Sequence, residues 1–298
     1  MIYIISNTFD PTTNAIIDWL NFYKKKYTRI NDYVAESYKI PFKINLNKNN
    51  LLKDVLWIRK PAFKNEGNYM IHIHNEVNRG LYEIAEWRFK KVIGSFNRIY
   101  SLNKIKVLKL AQSQGLLIPP TIVTTQKQDL QEFINENKCV ITKCCSDMMP
   151  LTIENDKYYQ YTSIVDDETL SEIPESFTIS LFQKHIKKAF DIKIVYVNGD
   201  FYGQAIFSQS SEQTSIDFRN YNYSKPNRTC PFKLPKNTEI QLKKLIESLE
   251  EEICTIDFIM SEDNKLYFLE INPNGEFLGI SKRCNYHLDK KIAEFLIQ

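Results

Sequence analysis

The segment TIDFIMSEDNKLYFLEINPNGEF, residues 255–277, concentrates the residue types that could do chemistry. Two apolar runs flank a turn at Glu262 to Asn264, which predicts a β-hairpin. Asp257 lies on the first strand. Glu270 and Asn272 lie on the second at i and i+2, so their side chains share one face. A register that sets Asp257 near Glu270 brings two carboxylates and an amide oxygen together. That donor set suits Mg²⁺, which prefers hard oxygen ligands and phosphate oxygens. Spacing alone also allows polar residues at strand ends with no ligand.

These donors need elements to carry them. MIYIIS reads as a strand, and Asp10 as an N-cap with Pro11 at the first helical position. Ile16, Ile17, Leu20 and Tyr23 repeat at helical spacing, and YTRIN reads as a second strand. This β-α-β opening predicts an α/β start. VLWIRKP is a further strand, and residues 75–97 form an amphipathic helix with Leu81, Ile84, Ala85 and Phe89 on one side. A helix runs from Asn103 to about Gln114. Gly115 closes it, and Pro119 and Pro120 precede a strand. QKQDLQEFINEN is a helix, CVITKCC a strand, and KYYQYTSI and FTISLFQKHI two more strands. FDIKIVYVNGDFYGQAIFSQ alternates on both sides of an Asn-Gly turn, a strong hairpin signal. NTEIQLKKLIESLEEEI carries a core-facing Leu/Ile stripe, and DKKIAEFLIQ closes the chain as a helix. The fold class is α/β (α+β), and the length of 298 residues allows two or three units.

Composition excludes several classes. Hydrophobic residues make up 43% and charged residues 25%, ordinary globular values, and 18 Phe, 17 Tyr and 3 Trp can build a sizeable core. Only 8 Gly are present, and neither G-x-x-x-x-G-K-[ST] nor G-x-G-x-x-G occurs. A net charge of +3 implies no general nucleic-acid surface. No apolar run approaches the roughly 18 residues of a membrane span, and the N-terminus lacks a basic export-signal region. A cytoplasmic protein is expected. Its six cysteines, with no C-x-x-C, are then reduced thiols. His72 and His74 would face one side of a strand, but no further ligand accompanies them, which favours a structural role.

Asp on one strand followed by Glu-Ile-Asn-Pro-Asn-Gly on the next resembles the metal-binding end of an ATP-grasp domain. The resemblance runs from about residue 100 to the end. It implies an ATP-grasp fold with a small N-terminal α/β domain, divided as 1–100, a central subdomain 101–183 and a C-terminal subdomain 184–298. It implies ATP and Mg²⁺ as cofactors, with Asp257, Glu270 and Asn272 as metal ligands. Lys104, opening a helix in SLNKIKVL, and Lys143, in VITKCC, match the two lysines that approach the phosphates. Gln183 and the Lys184–His185 backbone match the adenine hinge. Asp191 and Lys193 match the strand that points into the site, and Arg219 in SIDFRNYN matches an arginine that meets an acyl phosphate or acceptor carboxylate. Asp191 and Asp217 are candidates for the base. The sequence departs from the family pattern at three places: Lys184 stands where Glu is frequent, Lys193 where Arg is, and the loop after Lys143 is Cys-Cys-Ser-Asp instead of glycine-rich.

The opening MIYIISNTFDPTTNAIIDWLNFYKKKYTRIN and the segment LEINPNGEF resemble the peptide maturases that make graspetides, the ω-ester peptides, in particular the grasp-with-spasm group. This implies a ribosomal precursor peptide, leader and core, as partner, with a homodimer as an option. The hairpin Tyr196 to Phe207 and the basic stretch Lys184 to Lys188 are places where a leader could bind; a solvated turn is the alternative for Lys187 and Lys188. Two other readings share the site: a carboxylate–amine ligase that adds an amino acid to an acid, and a nucleotide-binding regulator without turnover.

Overall fold

The computed structural model describes the chain except residues 32–35, 41–51, 61–67, 96–101, 147–150, 154–155, 159–160, 211–215 and 218–221. The first sheet is parallel, in the order β2-β1-β3-β4, from β1 (Ile2–Ile5), β2 (Tyr27–Ile30), β3 (Leu52–Ile58) and β4 (Phe89–Ile93). Parallel neighbours need crossovers. Helix α1 (Pro11–Phe22) connects β1 to β2, and α2 (Asn68–Arg88) precedes β4. Asp10 caps α1 through the Thr13 N–H, with Pro11 in its first turn, and Ile16, Ile17 and Leu20 are buried as their spacing predicts.

Residues 75–97 do not form one helix. The helix begins at Asn68 and stops at Arg88, and Phe89 starts β4. The run Phe-Lys-Lys-Val-Ile completes the edge of the parallel sheet beside β3, and that pairing outweighs the helical spacing. The side chains of Leu81 and Ala85 lie outside the described residues. His72 and His74 sit on α2, where positions two apart point to different sides of the helix, so they share no face.

The second sheet, β5-β10-β6-β9, is antiparallel. It comprises β5 (Thr121–Gln126), β6 (Val140–Lys143), β9 (Ser163–Ile164) and β10 (Ser176–Lys184). Helix α3 (Lys104–Ser113) precedes it, capped by Asn103 and ended by Gly115 at φ 82. Helix α4 (Lys127–Asn137) and the short α5 (Asp167–Glu172) pack on it around Leu130, Val140, Val165 and Phe182. The segment KYYQYTSI is not one strand. Its beginning ends β8 (Asp156–Tyr158), which pairs with β7 (Leu151–Ile153), and its end is β9.

The third sheet, β13-β12-β11-β14-β15, is antiparallel and carries most of the core. Strands β11 (Lys188–Val197) and β12 (Asp200–Phe207) meet at the Asn198–Gly199 turn, both residues at positive φ. β13 (Arg228–Phe232) lies at the edge, and β14 (Ile253–Ser261) and β15 (Leu266–Asn272) form the last hairpin. Helix α6 (Lys236–Ser248) ends before Glu250, whose positive φ turns the chain, and Ile253 is already strand. Ile192, Ile194, Ile256 and Phe258 face α3 and α6, against Val107, Leu108, Leu242 and Leu245. On the opposite face, Val195, Val197 and Ile253 join Ile2, Ile4 and Leu20 of the first sheet unit and Leu288, Ile292 and Leu296 of the last helix. The first and third sheets therefore share one core. Two C-terminal helices, α7 (Leu278–Arg283) and α8 (Leu288–Ile297), complete it; the sequence reading did not anticipate α7. Among the described residues no helix is long and apolar enough to cross a membrane.

Candidate active site

The third sheet turns one face to α3 and α6. Strand periodicity sends the alternate residues to the other side. On β11 these are Asp191 and Lys193, and on β14 Asp257 and Ile259. β15 would break this pattern, because simple alternation puts Leu269 and Ile271 on one face and Phe268 and Glu270 on the other. A bulge resolves it. Asp257 pairs with Glu270 while Phe258 pairs with Phe268, so Leu269 is the extra residue. Phe268 and Ile271 then both enter the core, and Glu270 and Asn272 share the face of Asp257. Among the registers the sequence left open, which paired Phe258 or Asp257 near Leu269 or Glu270, the structure has Asp257 opposite Glu270.

A cleft of about 710 Å³, measured to its open mouth, lies between the second and third sheets. Lys143, Gln183, Lys184, His185, Asp191, Asp217, Asp257 and Glu270 line it. Lys104 and Asn272 line an adjoining hollow that also contains Glu270. Lys193 stands beside Asp257, with Nζ 3.0 Å from Oδ1 and 3.3 Å from Oδ2. Lys104 Nζ lies 3.3 Å from Glu270 Oε2 and also donates to the Ser146 carbonyl. Eleven of the twelve residues singled out in the sequence thus gather around one cleft and its neighbouring hollow. Arg219 lies outside the described residues.

Gln183 is 1% exposed. Its Nε2 donates to Thr121 Oγ1 at 2.8 Å, and its Oε1 is buried without a protein partner. A buried acceptor left open costs free energy unless a donor reaches it, so a ligand amine in the cleft would be stabilised there. The Lys184 and His185 N–H groups donate to Pro120 O and Cys139 O, each at 2.9 Å, which fixes the strand exit beside Gln183. Burial, reinforced by Lys188 and Lys187, holds the His185 pKa below its ordinary value, so the imidazole stays neutral near pH 7.

Asp191 is buried. Lys188 Nζ donates to both its oxygens, at 2.8 and 2.9 Å, and Ser208 Oγ donates to Oδ2. Burial pushes its pKa up against the opposing pull of Lys188 and Ser208. Lys188 also donates to Ile216 O at 3.2 Å, next to Asp217. Lys188 is therefore no solvated turn residue, whereas its neighbour Lys187 is exposed. Composition does not reveal this, since Lys188 pairs with Asp191 across an irregularity at the start of β11.

The three oxygen donors Asp257, Glu270 and Asn272 fit a divalent ion chemically, with two carboxylates and an amide oxygen on one sheet face. Among the described residues no group of three His, Cys, Asp or Glu could hold a metal ion. All six cysteines are free thiols, and burial, with Glu251 and Glu252 nearby, raises the Cys254 pKa well above its ordinary value. One further charged group, Asp10, Arg59, Lys60 and Glu276, was not anticipated as part of the site. Its signal in the sequence was faint: two cations directly after the strand VLWI.

Residues 101–296 match the model of the RimK-like ATP-grasp domain. None of the curated proteins compared with the chain matches it. Among solved structures, a Chryseobacterium gregarium RiPP-associated ATP-grasp ligase in complex with ADP and a leader and core peptide is 25% identical, with a TM-score of 0.82. The match covers 99% of this chain and 96% of that one. The macrocyclase MdnC from Microcystis aeruginosa, bound with precursor peptide MdnA, is 22% identical at a TM-score of 0.80, over 100% and 99% of the two chains. The ATP-grasp ligase PsnB, complexed with minimal precursor, Mg and ADP, is 13% identical at 0.73, over 99% and 96%. The N-terminal sheet is thus part of the shared architecture. With two-thirds of its length matching the family model, the chain belongs to the RimK-like ATP-grasp family of ATP-dependent ligases.

Proposed function

We propose that the protein is a graspetide maturase, which closes ester or amide rings in a ribosomal precursor peptide at the expense of ATP. The observation that carries this reading is the row formed by Lys193, Asp257 and Glu270 across β11, β14 and β15, with Asn272 and Lys104 beside it. The full-length likeness to a peptide ligase that binds leader and core supports it. On this reading the chain works as three units, 1–100, 101–183 and 184–298, with the nucleotide between the last two.

Gln183 Oε1 accepts from the adenine amine beside the Lys184–His185 backbone. Lys104 and Lys143 hold phosphate oxygens and offset their repulsion. Bound Mg²⁺, held by Asp257, Glu270 and Asn272, supplies further charge neutralisation at the phosphates. A peptide Asp or Glu carboxylate oxygen forms a bond to the γ-phosphorus, and ADP leaves. Lys193 and Arg219 orient the resulting acyl phosphate. A Thr or Ser hydroxyl, or a Lys amine, of the same peptide then bonds to the acyl carbon, and phosphate leaves with the former carboxylate oxygen. Asp217 or Asp191 takes the nucleophile's proton. No covalent enzyme nucleophile is needed, only positioning and fixed charge.

Intact mass tests the reading. The protein is incubated with Mg-ATP and a Thr- and Glu-rich candidate precursor peptide. Loss of one water per ring, with one ADP per water, is expected. A gain equal to an added amino acid would replace this reading with the carboxylate–amine ligase. Nucleotide binding with neither ADP nor a mass change would replace it with the non-catalytic regulator.

A further inference from the structure

At the carboxyl ends of β1 and β3 lies a group of charges that the steps above do not use. In the order β2-β1-β3-β4 the chain departs in opposite directions from these two strands, the place where α/β sheets open a crevice. Arg59 follows β3 and is 2% exposed. Its Nε donates to Asp10 Oδ2 at 3.0 Å, and its Nη1 and Nη2 reach Gly275 O at 3.5 and 3.4 Å. Nη2 also lies 3.7 Å from Glu276 Oε2. Lys60, at φ 48, holds a backbone conformation that residues with a side chain seldom adopt. Its N–H donates to Asn274 Oδ1 at 3.4 Å, and its Nζ pairs with Asp10 and Glu276. Thr12 Oγ1 donates to Glu276 as well. Asn274, Gly275 and Glu276 are thus all held from the first sheet.

The same turn is held from the other side by β14. A Cβ on Gly275 would come within 1.6 Å of Thr255 Oγ1, so the backbone is pressed against that strand. Asn272 opens the turn. Its Oδ1 accepts the Asn274 N–H at 2.8 Å, and its carbonyl accepts the Gly275 N–H at 3.2 Å. The Oδ1 bond fixes which way the amide faces and uses one of the oxygen's two lone pairs.

We infer that Arg59 and Lys60 are positioning residues for Asn272: by clamping the turn from Asn272 to Glu276 against Thr255, the N-terminal sheet sets the orientation of a metal ligand on the third sheet. The inference rests on the Mg²⁺ reading given above. It extends that reading by making the N-terminal unit part of the metal end.

ADP binding to the full chain, measured by calorimetry over a series of Mg²⁺ concentrations, tests it. Arg59→Gln is expected to raise the Mg²⁺ concentration for half-maximal enhancement about tenfold, the usual effect of losing a partner that orients a ligand. Glu276→Gln, at a half-exposed residue whose change does not threaten folding, is expected to raise it about threefold, less than the usual effect because Arg59 still holds the turn. Excess Mg²⁺ should restore wild-type ADP affinity in both. A merely structural role would lower the melting temperature and leave the Mg²⁺ midpoint in place, and that result overturns the inference. If Arg59→Gln fails to fold, the Glu276→Gln midpoint decides alone. Asn272→Ala separates the two layers. If its midpoint also stays at the wild-type value, the metal reading itself fails and the inference with it. If Asn272→Ala shifts and the other two do not, the inference alone fails.

Discussion

Two groups of ion pairs differ in how deeply they are buried. On the third sheet, Lys193–Asp257 and Lys104–Glu270 are partly buried pairs at the cleft, at 3.0 and 3.3 Å. At the end of the first sheet, Asp10 is buried and accepts from Arg59, from Lys60, from the Ser6 and Thr13 hydroxyls and from the Thr13 N–H. Burial alone would raise its pKa, but Arg59, the Thr13 hydroxyl and Lys60 outweigh it and hold the carboxyl at about 2. Pairs of the first kind can exchange partners when a ligand arrives, because water and phosphate can reach them. Pairs of the second kind cannot be opened without leaving a buried charge alone. Access, more than the presence of charge, separates a site from a joint.

Substitutions that strip one group and spare the other sharpen this contrast. The largest effect is expected from Glu270→Gln or Asn272→Ala: turnover should fall by about 10²–10³-fold with an unchanged melting temperature, as when one fixed electrostatic contact to the reacting centre is removed. A fully active Glu270→Gln would erase the distinction between site and joint. Arg59→Ala should act first on the fold and lower stability by about 3 kcal/mol in denaturant titration, since it removes the main partner of a buried carboxylate, while its effect on turnover should be lifted by excess Mg²⁺. An unchanged midpoint would show the joint to be dispensable. The pH dependence follows from the sign of the Asp10 shift. Its folded pKa lies below the ordinary 3.8, so its contribution is present above that value and is lost as pH falls toward about 2. Wild type should therefore lose about 2 kcal/mol relative to Asp10→Asn over that window. Parallel acid curves would contradict the pairing. The smallest effect is expected from Lys143→Ala, which should weaken ATP binding about tenfold, the worth of one charge-assisted hydrogen bond. Unchanged affinity would move the phosphates away from β6.

The sequence exposed the parts whose signal is local. The Asn-Gly hairpin and the Asp10 cap follow from turn and capping chemistry, and the last hairpin with Asp257 on one strand and Glu270 and Asn272 on the next follows from its turn and flanking apolar runs. The bulge at Leu269 was hidden, because one extra residue changes no composition. Its trace is the three-residue spacing of Phe268 and Ile271, which only the core they share makes visible. β4 was lost inside a helical spacing because its identity comes from pairing with β3, a contact made after a long excursion of chain. His72 and His74 share no face because their segment is a helix and not a strand. Arg59 and Lys60 could not be linked to Asn272 from sequence, because more than two hundred residues separate groups that meet only where the first and third sheets share a core.

The central claim is that a peptide side-chain carboxylate is activated by phosphorylation in this cleft. Precursor peptide labelled with heavy oxygen in its Asp and Glu carboxylates, incubated with the enzyme and Mg-ATP, tests it most directly. The account predicts one heavy oxygen in the released inorganic phosphate for every water lost from the peptide. Unlabelled phosphate released alongside ring closure would contradict it.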